Sequence, residues 1–518
     1  MIKNFKWLLL VSLTFVACNN NDDTVIHTNS SDGLPLTAGS ADFSKYVSLG
    51  NSLCAGYSDG ALFAAGQSNS YPNILSQQFA LVGGGEFKIP YMNDNVGGLL
   101  LGGFQIQGPR LYLAPGNNPT PVSGTITTDV TNVLSGPFNN MGVPGAKSFH
   151  LLASGYGNVA GILSGQANPY FVRFASSPSA SVIGDAVAQN PTFFSLWIGN
   201  NDVLAYATSG GVGVNQLGNL NPATYGGNDI TDPNVFASVY STLLNQLTAN
   251  GAKGVVANLP YVTSVPFFTT VPTNPIPGLP PSSAAQLNQL FGGINAALAG
   301  AGLPPRFVTL VADDGNSATV EKNPLLIKDE SLLNISAQIS AALTPVLGGA
   351  TAGYLGSIYG QARHASSAAG SKDYILLTAR SIIGTTQSGA PSPFNTVGVS
   401  YPMQDNTTLT ASETAEVKTA TDAYNVSIQA LAASKGLAFV DANSILNQVA
   451  TGGLVVSGYT MTSSYVTGNS FSLDGVHPSP KGYALIANKF LEAINAKYGS
   501  NFKGVNLGQY QILYPGSL

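Results

Sequence analysis

Short apolar runs, each cut off by glycine, asparagine or proline, recur at Tyr46–Gly50, Thr192–Ile198, Gly254–Leu259 and Leu437–Asp441. They lack polar alternation, which is the pattern of parallel strands buried on both faces. The segments between them carry helical signals. Asp232-Pro233 offers an N-cap and a proline at the first helical position; Phe236, Val239, Tyr240, Leu243 and Leu247 then recur at helical spacing, and Gly251 marks the stop. Thr410-Ala-Ser-Glu413 has the spacing of a capping box for a helix running to about Lys435. Ser479-Pro480 opens a last helix through Leu485, Ile486, Phe490, Leu491 and Ile494. Strands alternating with helices predict an α/β fold on a parallel sheet with helices on both faces.

Two stretches interrupt this rhythm. Residues 84–140 are rich in glycine and proline and read as loops over the sheet edge. Residues 303–409 carry strand-like runs of their own, Phe307–Val311 and Tyr374–Ala379, and read as a large inserted subdomain. The core is then 43–302 together with 410–500, and 501–518 is a C-terminal tail.

The N-terminus reads differently from the rest. Lys3 and Lys6 precede an apolar stretch, Trp7 to Ala17, too short to span a bilayer and of signal-peptide length. It ends Phe15-Val-Ala-Cys18, which resembles a bacterial lipobox, so residues 1–17 are expected to be a lipoprotein signal peptide and Cys18 the acylated residue. Residues 18–42, beginning with Asn19, Asn20, Asn21, Asp22 and Asp23, form a polar, acidic tether similar to those of surface-exported lipoproteins in Bacteroidetes-type bacteria. The expected location is the outer membrane, facing the periplasm or the cell surface, with lipid as the membrane anchor. Only 9% of residues are charged and the net charge is −5, which leaves no basic footprint for nucleic acid. Of two cysteines, lipidation of Cys18 leaves Cys54 alone, so no intrachain disulfide is expected.

Candidate chemistry begins at the end of the first strand run. Gly50 breaks it, and Ser52 follows two residues later, where a strand turning into a helix exposes a hydroxyl at the carboxyl edge of a sheet. Serine hydrolysis also needs a base, a group that orients the base, and donors for an oxyanion. The chain has four histidines. His27 lies in the tether, His364 in the insertion, and His150 in an apolar stretch that suits a structural role. His477 sits in Asp474-Gly-Val-His-Pro478, just before a helix start, with a carboxylate three residues away that can reach its Nδ1. A second serine pattern, Gly56-Tyr57-Ser58-Asp59-Gly60, satisfies G-x-S-x-G. That motif needs its serine on the turn directly after a strand, and here the strand has already ended at Gly50. Cys54 reads as a small buried apolar residue rather than a catalytic thiol. Neither a metal nor a cofactor is expected: Asp313-Asp-Gly-Asn316 reads as a turn, and Arg110, Arg173 and Arg363 as structural or solvated.

Taken together these residues resemble the GDSL, or SGNH, hydrolase family, whose blocks match in order over roughly 43–260 and 410–495. Block one appears as Gly50-Asn-Ser-Leu53, block two as Asn140-Met-Gly-Val-Pro-Gly145-Ala, block three as Gly199-Asn-Asn-Asp202, and block five as Asp474 with His477. The resemblance implies an SGNH-type, flavodoxin-like sheet. It also implies Ser52 as nucleophile, His477 as base oriented by Asp474, and an oxyanion hole from Ser52 N–H, Gly145 N–H and the Asn201 amide. The implied activity is carboxylic ester hydrolysis through an acyl-enzyme, on a lipid or an acylated glycan. A carbohydrate O-acetylesterase is one alternative, and a non-catalytic surface-binding lipoprotein that keeps the fold is another. The chain departs from the family signature at Asn51, where aspartate is expected.

Overall fold

The computed structural model describes residues 29–518; the signal-peptide, lipobox and His27 assignments fall outside them. The centre is a five-stranded parallel sheet of β1 (Tyr46–Gly50), β2 (Asn140–Gly142), β3 (Phe193–Trp197), β4 (Lys253–Ala257) and β5 (Ala438–Val440), in the order β2-β1-β3-β4-β5. β1 and β3 are buried along their whole length, as uninterrupted apolar strands between two helical layers should be. Strand order reverses between β1 and β3, so a crevice opens there at the carboxyl ends of the strands.

The helices follow their sequence signals. After β1 come α1 (Ser52–Ala55) and α2 (Tyr71–Ala80), and after β3 comes α3 (Asn201–Thr208). α4 (Pro233–Thr248) is capped by Asp232, whose carboxylate accepts the N–H groups of Asn234 and Val235. α5 (Ala411–Ser434) opens with the Thr410/Glu413 capping box, α6 (Ala442–Thr451) follows β5, and α7 (Pro480–Tyr498) starts at the Ser479 cap. α7 packs on α2 and on β5, while α5 packs on α4 and α3, giving the two helical layers. Gly142 on β2 is required by packing: a Cβ there would lie 2.3 Å from the backbone nitrogen of Ala55 in α1.

Several expectations are corrected. β2 lay in a region read as loop and motif; with one apolar residue in three it carries no strand pattern. Residues 84–140 hold two small hairpins, Leu99–Leu101 with Phe104–Gln107 and Leu111–Ala114 with Asn118–Pro121. Phe307–Val311 is not a strand: its backbone is held by side chains, Asn295, His364, Asn288 and Asn323 accepting its N–H groups. Of Tyr374–Ala379 only Tyr374–Ile375 is a strand, followed by a 3₁₀ turn. Between β4 and β5, apolar clusters separate from the main core gather residues such as Phe291, Phe307, Ile339 and Tyr359, and Val271, Ile327, Ile375 and Met403. The end of the stretch expected to be a tether is pinned: Ser31 N–H donates to Asn501 carbonyl, Ser40 N–H to Tyr498 carbonyl, and Thr37 N–H to the Asn501 side chain. The tail packs back as well, with Tyr514 buried against Phe63.

Candidate active site

Asn51 ends the extended backbone of β1 and caps α1, its Oδ1 accepting Leu53 N–H at 3.0 Å. Its Nδ2 donates to Asn200 Oδ1 at 3.2 Å. Asn51 therefore ties the turn after β1 to the turn after β3, across the point where strand order reverses. An aspartate could cap α1 equally well but could not make that donation.

The partner loop comes from the far end of the chain. Phe471 bridges Pro478, Ser472 N–H donates to His477 carbonyl at 2.8 Å, and Gly475 N–H donates to Ser472 carbonyl at 3.0 Å, closing a tight loop before α7. This loop brings His477 Nε2 to 2.9 Å from Ser52 Oγ, and Asp474 Oδ2 to 2.8 Å from His477 Nδ1. Asp474 Oδ1 accepts the backbone N–H of Val476 and of His477 and the Ser472 hydroxyl. Burial pushes the Asp474 carboxyl up, but the adjacent imidazole and these donors outweigh it and hold the group at about 2. A carboxylate fixed on Nδ1 sets the tautomer that leaves Nε2 free to accept a proton.

Donors surround the same edge. Asn201 Nδ2 donates one hydrogen to Ala146 carbonyl at 2.9 Å, and its second hydrogen has no acceptor among the described residues. Ser52 is the first residue of α1 and Gly145 sits at φ +80 in the loop after β2; neither N–H has an acceptor among the described residues. The next side chain, Asp202, is fully buried and holds that loop by accepting Ser148 N–H at 2.8 Å and Ser148 Oγ–H at 2.7 Å. The turn after β3 thus grips the loop carrying Gly145 at two successive positions.

A cleft of about 970 Å³, open to solvent, begins at Ser52 and His477 and includes Asn51 and Asn201; Gly145 and Asp474 do not line it. Its walls are Val440, Ile445, Leu446 and Val449 from β5 and α6, Leu485, Ile486 and Phe490 from α7, and Leu204, Val262 and Val265. Lys489 is there too, already paired with Glu492 at 2.8 Å.

The other candidates lie elsewhere. His150 is stacked on Tyr156 and accepts Lys147 N–H; His364 accepts Val308 N–H; burial lowers each to about 4. Arg110 and Arg173 are buried and spent on backbone carbonyls, and Arg363 pairs with Asp329 and Asp373. Cys54 is fully buried against Ser48 Oγ, and burial pushes its thiol up to about 12, which makes it inert. In Asp313-Asp-Gly-Asn316 the chain bends at Gly315, and Asp313 and Asp314 accept the N–H groups two residues ahead.

The sequence suggests Tyr57 and the glycine beside it as shapers of the pocket rim, but Tyr57 and Gly60 do not line the cleft, and their contacts with the Asp474–His477 pair, like the part played by Ser472, were missed. Gly60 N–H donates to Asp474 Oδ2 at 3.0 Å, and the Tyr57 ring lies 4.6 Å from the His477 ring. The Asp59-Gly60 dipeptide, a strong signal for a tight turn with two positive φ angles, was the available clue. No protein-family model, curated protein or solved structure matches this chain.

Proposed function

We propose that the chain is a serine ester hydrolase of the SGNH type. The observation that carries this is the unbroken line Ser52 Oγ–His477 Nε2, His477 Nδ1–Asp474 Oδ2 at 2.9 and 2.8 Å, opening on an apolar cleft. Support comes from the strand order, which is the flavodoxin-like one, and from the position of Ser52 and Asn201 at its switch point. Ser52 Oγ attacks the ester carbonyl carbon while its proton passes to His477 Nε2. Ser52 N–H, Gly145 N–H and the spare Asn201 hydrogen hold the oxyanion, each worth roughly 3 kcal/mol in the transition state. As the tetrahedral intermediate collapses, the C–O bond breaks and His477 returns the proton to the leaving alcohol. Water, activated by the same imidazole, then hydrolyses the acyl-serine.

The cleft favours an aliphatic acyl group over acetyl. Each methylene moved from water to an apolar wall contributes about 0.8 kcal/mol, roughly fourfold in kcat/KM until the cleft is filled. An aryl-ester panel from acetyl to palmitoyl tests this: a rise with chain length supports a lipase-like enzyme, and a maximum at acetyl supports the O-acetylesterase alternative. Lipid anchoring through Cys18 completes the proposal by holding that cleft at a membrane surface; mass spectrometry of the N-terminal peptide checks it. The deciding experiment for the chemistry is fluorophosphonate treatment with peptide mapping. Modification of Ser52 is expected, and modification of Ser58, or none, overturns the assignment.

A further inference from the structure

The G-x-S-x-G segment is not idle. Ser58 and Ala61 exchange both backbone hydrogen bonds around Asp59 and Gly60, which lie at φ +52 and +79. Two central residues at positive φ are the pattern of a type I′ turn, for which Asp-Gly is a preferred pair. The turn reaches into the back of the Asp474 loop from every side. Ser58 Oγ donates to Pro478 carbonyl at 3.1 Å, Asp59 N–H donates to Ser472 Oγ at 2.9 Å, and Asp59 Oδ1 accepts Leu473 N–H at 2.9 Å. Ser472 passes the link on by donating to Asp474 Oδ1, while Gly60 N–H meets Asp474 Oδ2 directly. The turn is itself braced: Tyr57 hydroxyl donates to Gly60 carbonyl, Tyr483 hydroxyl to Tyr57 carbonyl, and Leu111 N–H to Asp59 carbonyl.

Asp59 is the unusual member. It is 1% exposed, and its second oxygen, Oδ2, has no hydrogen-bond partner among the described residues. Arg110 lies nearby but spends its guanidinium on the carbonyls of Asn95, Leu111 and Pro515. A buried charge without a partner is costly, so a residue kept here serves through the bond it accepts. We propose that Asp59 is a positioning residue for the Asp474–His477 pair, acting as a hydrogen-bond acceptor that fixes the 472–474 backbone and not as a second charge. Burial, with the Asp474 charge adding to it, pushes the Asp59 carboxyl up to about 7 against the Leu473 N–H and the more distant Arg110, in keeping with that role.

The inference rests on the hydrolase reading only for its turnover readout. Two variants separate acceptor from backbone: Asp59→Asn keeps both the acceptor and tolerance of positive φ, whereas Asp59→Gly keeps the turn and removes the acceptor. In ¹⁵N-histidine-labelled protein, the downfield Nδ1–H proton of His477, assigned by its loss in His477→Gln, reports the bond to Asp474. Asp59→Asn is expected to keep that resonance and kcat within about threefold. Asp59→Gly is expected to lose it and to drop kcat about 10- to 100-fold, the order of a 1 Å misplacement, with KM changing far less. Survival of the resonance in Asp59→Gly overturns the proposal, and its loss in both variants overturns the acceptor role. If Asp59→Gly does not fold, Asp59→Ala, which also removes the acceptor for Leu473 N–H but keeps a Cβ in the site, is read the same way. Failure of fluorophosphonate to modify Ser52 in the unmutated protein would remove the hydrolase reading while leaving the resonance to decide this one.

Discussion

Two turns a few residues apart each place a serine after a glycine, and they differ in what the hydroxyl faces. In Gly50-Asn-Ser52 the strand has just ended and Ser52 Oγ meets an imidazole nitrogen at 2.9 Å; in Gly56-Tyr-Ser58 the hydroxyl donates to the Pro478 carbonyl at 3.1 Å. A carbonyl can hold a hydroxyl proton but cannot take it, so only the first serine has a base. The second turn serves the first, because it holds the loop from which that base projects.

The largest break in this comparison is Ser52→Ala, expected to reduce ester turnover by about 10⁴-fold or more, the scale seen when a triad nucleophile is removed. Ser58→Ala should leave turnover within about threefold and cost about 1 kcal/mol of stability, one buried hydrogen bond. Parallel kinetics and denaturant titrations measure both, and equal losses would erase the distinction.

Asp474→Asn comes next, with an expected loss of about 10²- to 10⁴-fold from an imidazole no longer held in the right tautomer. It also carries a stability signature. The folded Asp474 group titrates at about 2, below an unfolded value of about 3.9, so its contribution is present above pH ~4 and lost as pH falls toward ~2. That amounts to about 2–3 kcal/mol, and the variant should lack this acid dependence in melts run from pH 2 to 5.

Asp59 has the opposite sign. Its folded carboxyl sits at about 7, so its contribution is intact below the unfolded value near ~3.9 and drains away as pH rises toward ~7. Asp59→Asn should therefore gain on the unmutated protein by a few kcal/mol between pH ~4 and ~7, with little difference at pH 4. A difference independent of pH would mean that the carboxyl is ionised throughout.

The smallest effect is expected from Asn51→Asp. The cap on Leu53 survives, and only the donation to Asn200 is lost, a change of about 1 kcal/mol or roughly fivefold in rate. A much larger loss would show that the link between the two turns is needed for catalysis.

Much of this was legible in the chain. β1, β3, β4 and β5 announce themselves because strands buried on both faces are apolar throughout, and α4, α5 and α7 because caps and helical spacing agree. β2 was invisible as a strand, since Asn140-Met-Gly carries one apolar side chain and owes its place to pairing with β1. His477 could be named by elimination among the histidines and Asp474 by its spacing from it, while Ser52 stood out at a strand end and was joined to them by the resemblance to SGNH hydrolases. The supporting shell could not, because Gly60 and Asp59 act through backbone groups and buried hydrogen bonds that leave no periodic trace. The region between β4 and β5 resisted for a similar reason: Phe307–Val311 looks like a strand, yet its backbone is satisfied by asparagine and histidine side chains.

The bond between Ser52 and His477 spans 425 positions of the chain. During synthesis Ser52 emerges early and stays without its imidazole partner until the final helix has docked on the sheet. On the proposed hydrolase reading, unfinished or C-terminally clipped chains are therefore expected to be silent toward acylating reagents, however well their early segments fold. A fluorophosphonate tag on Ser52 would stain mature molecules alone, so the separation works as a built-in certificate of completion.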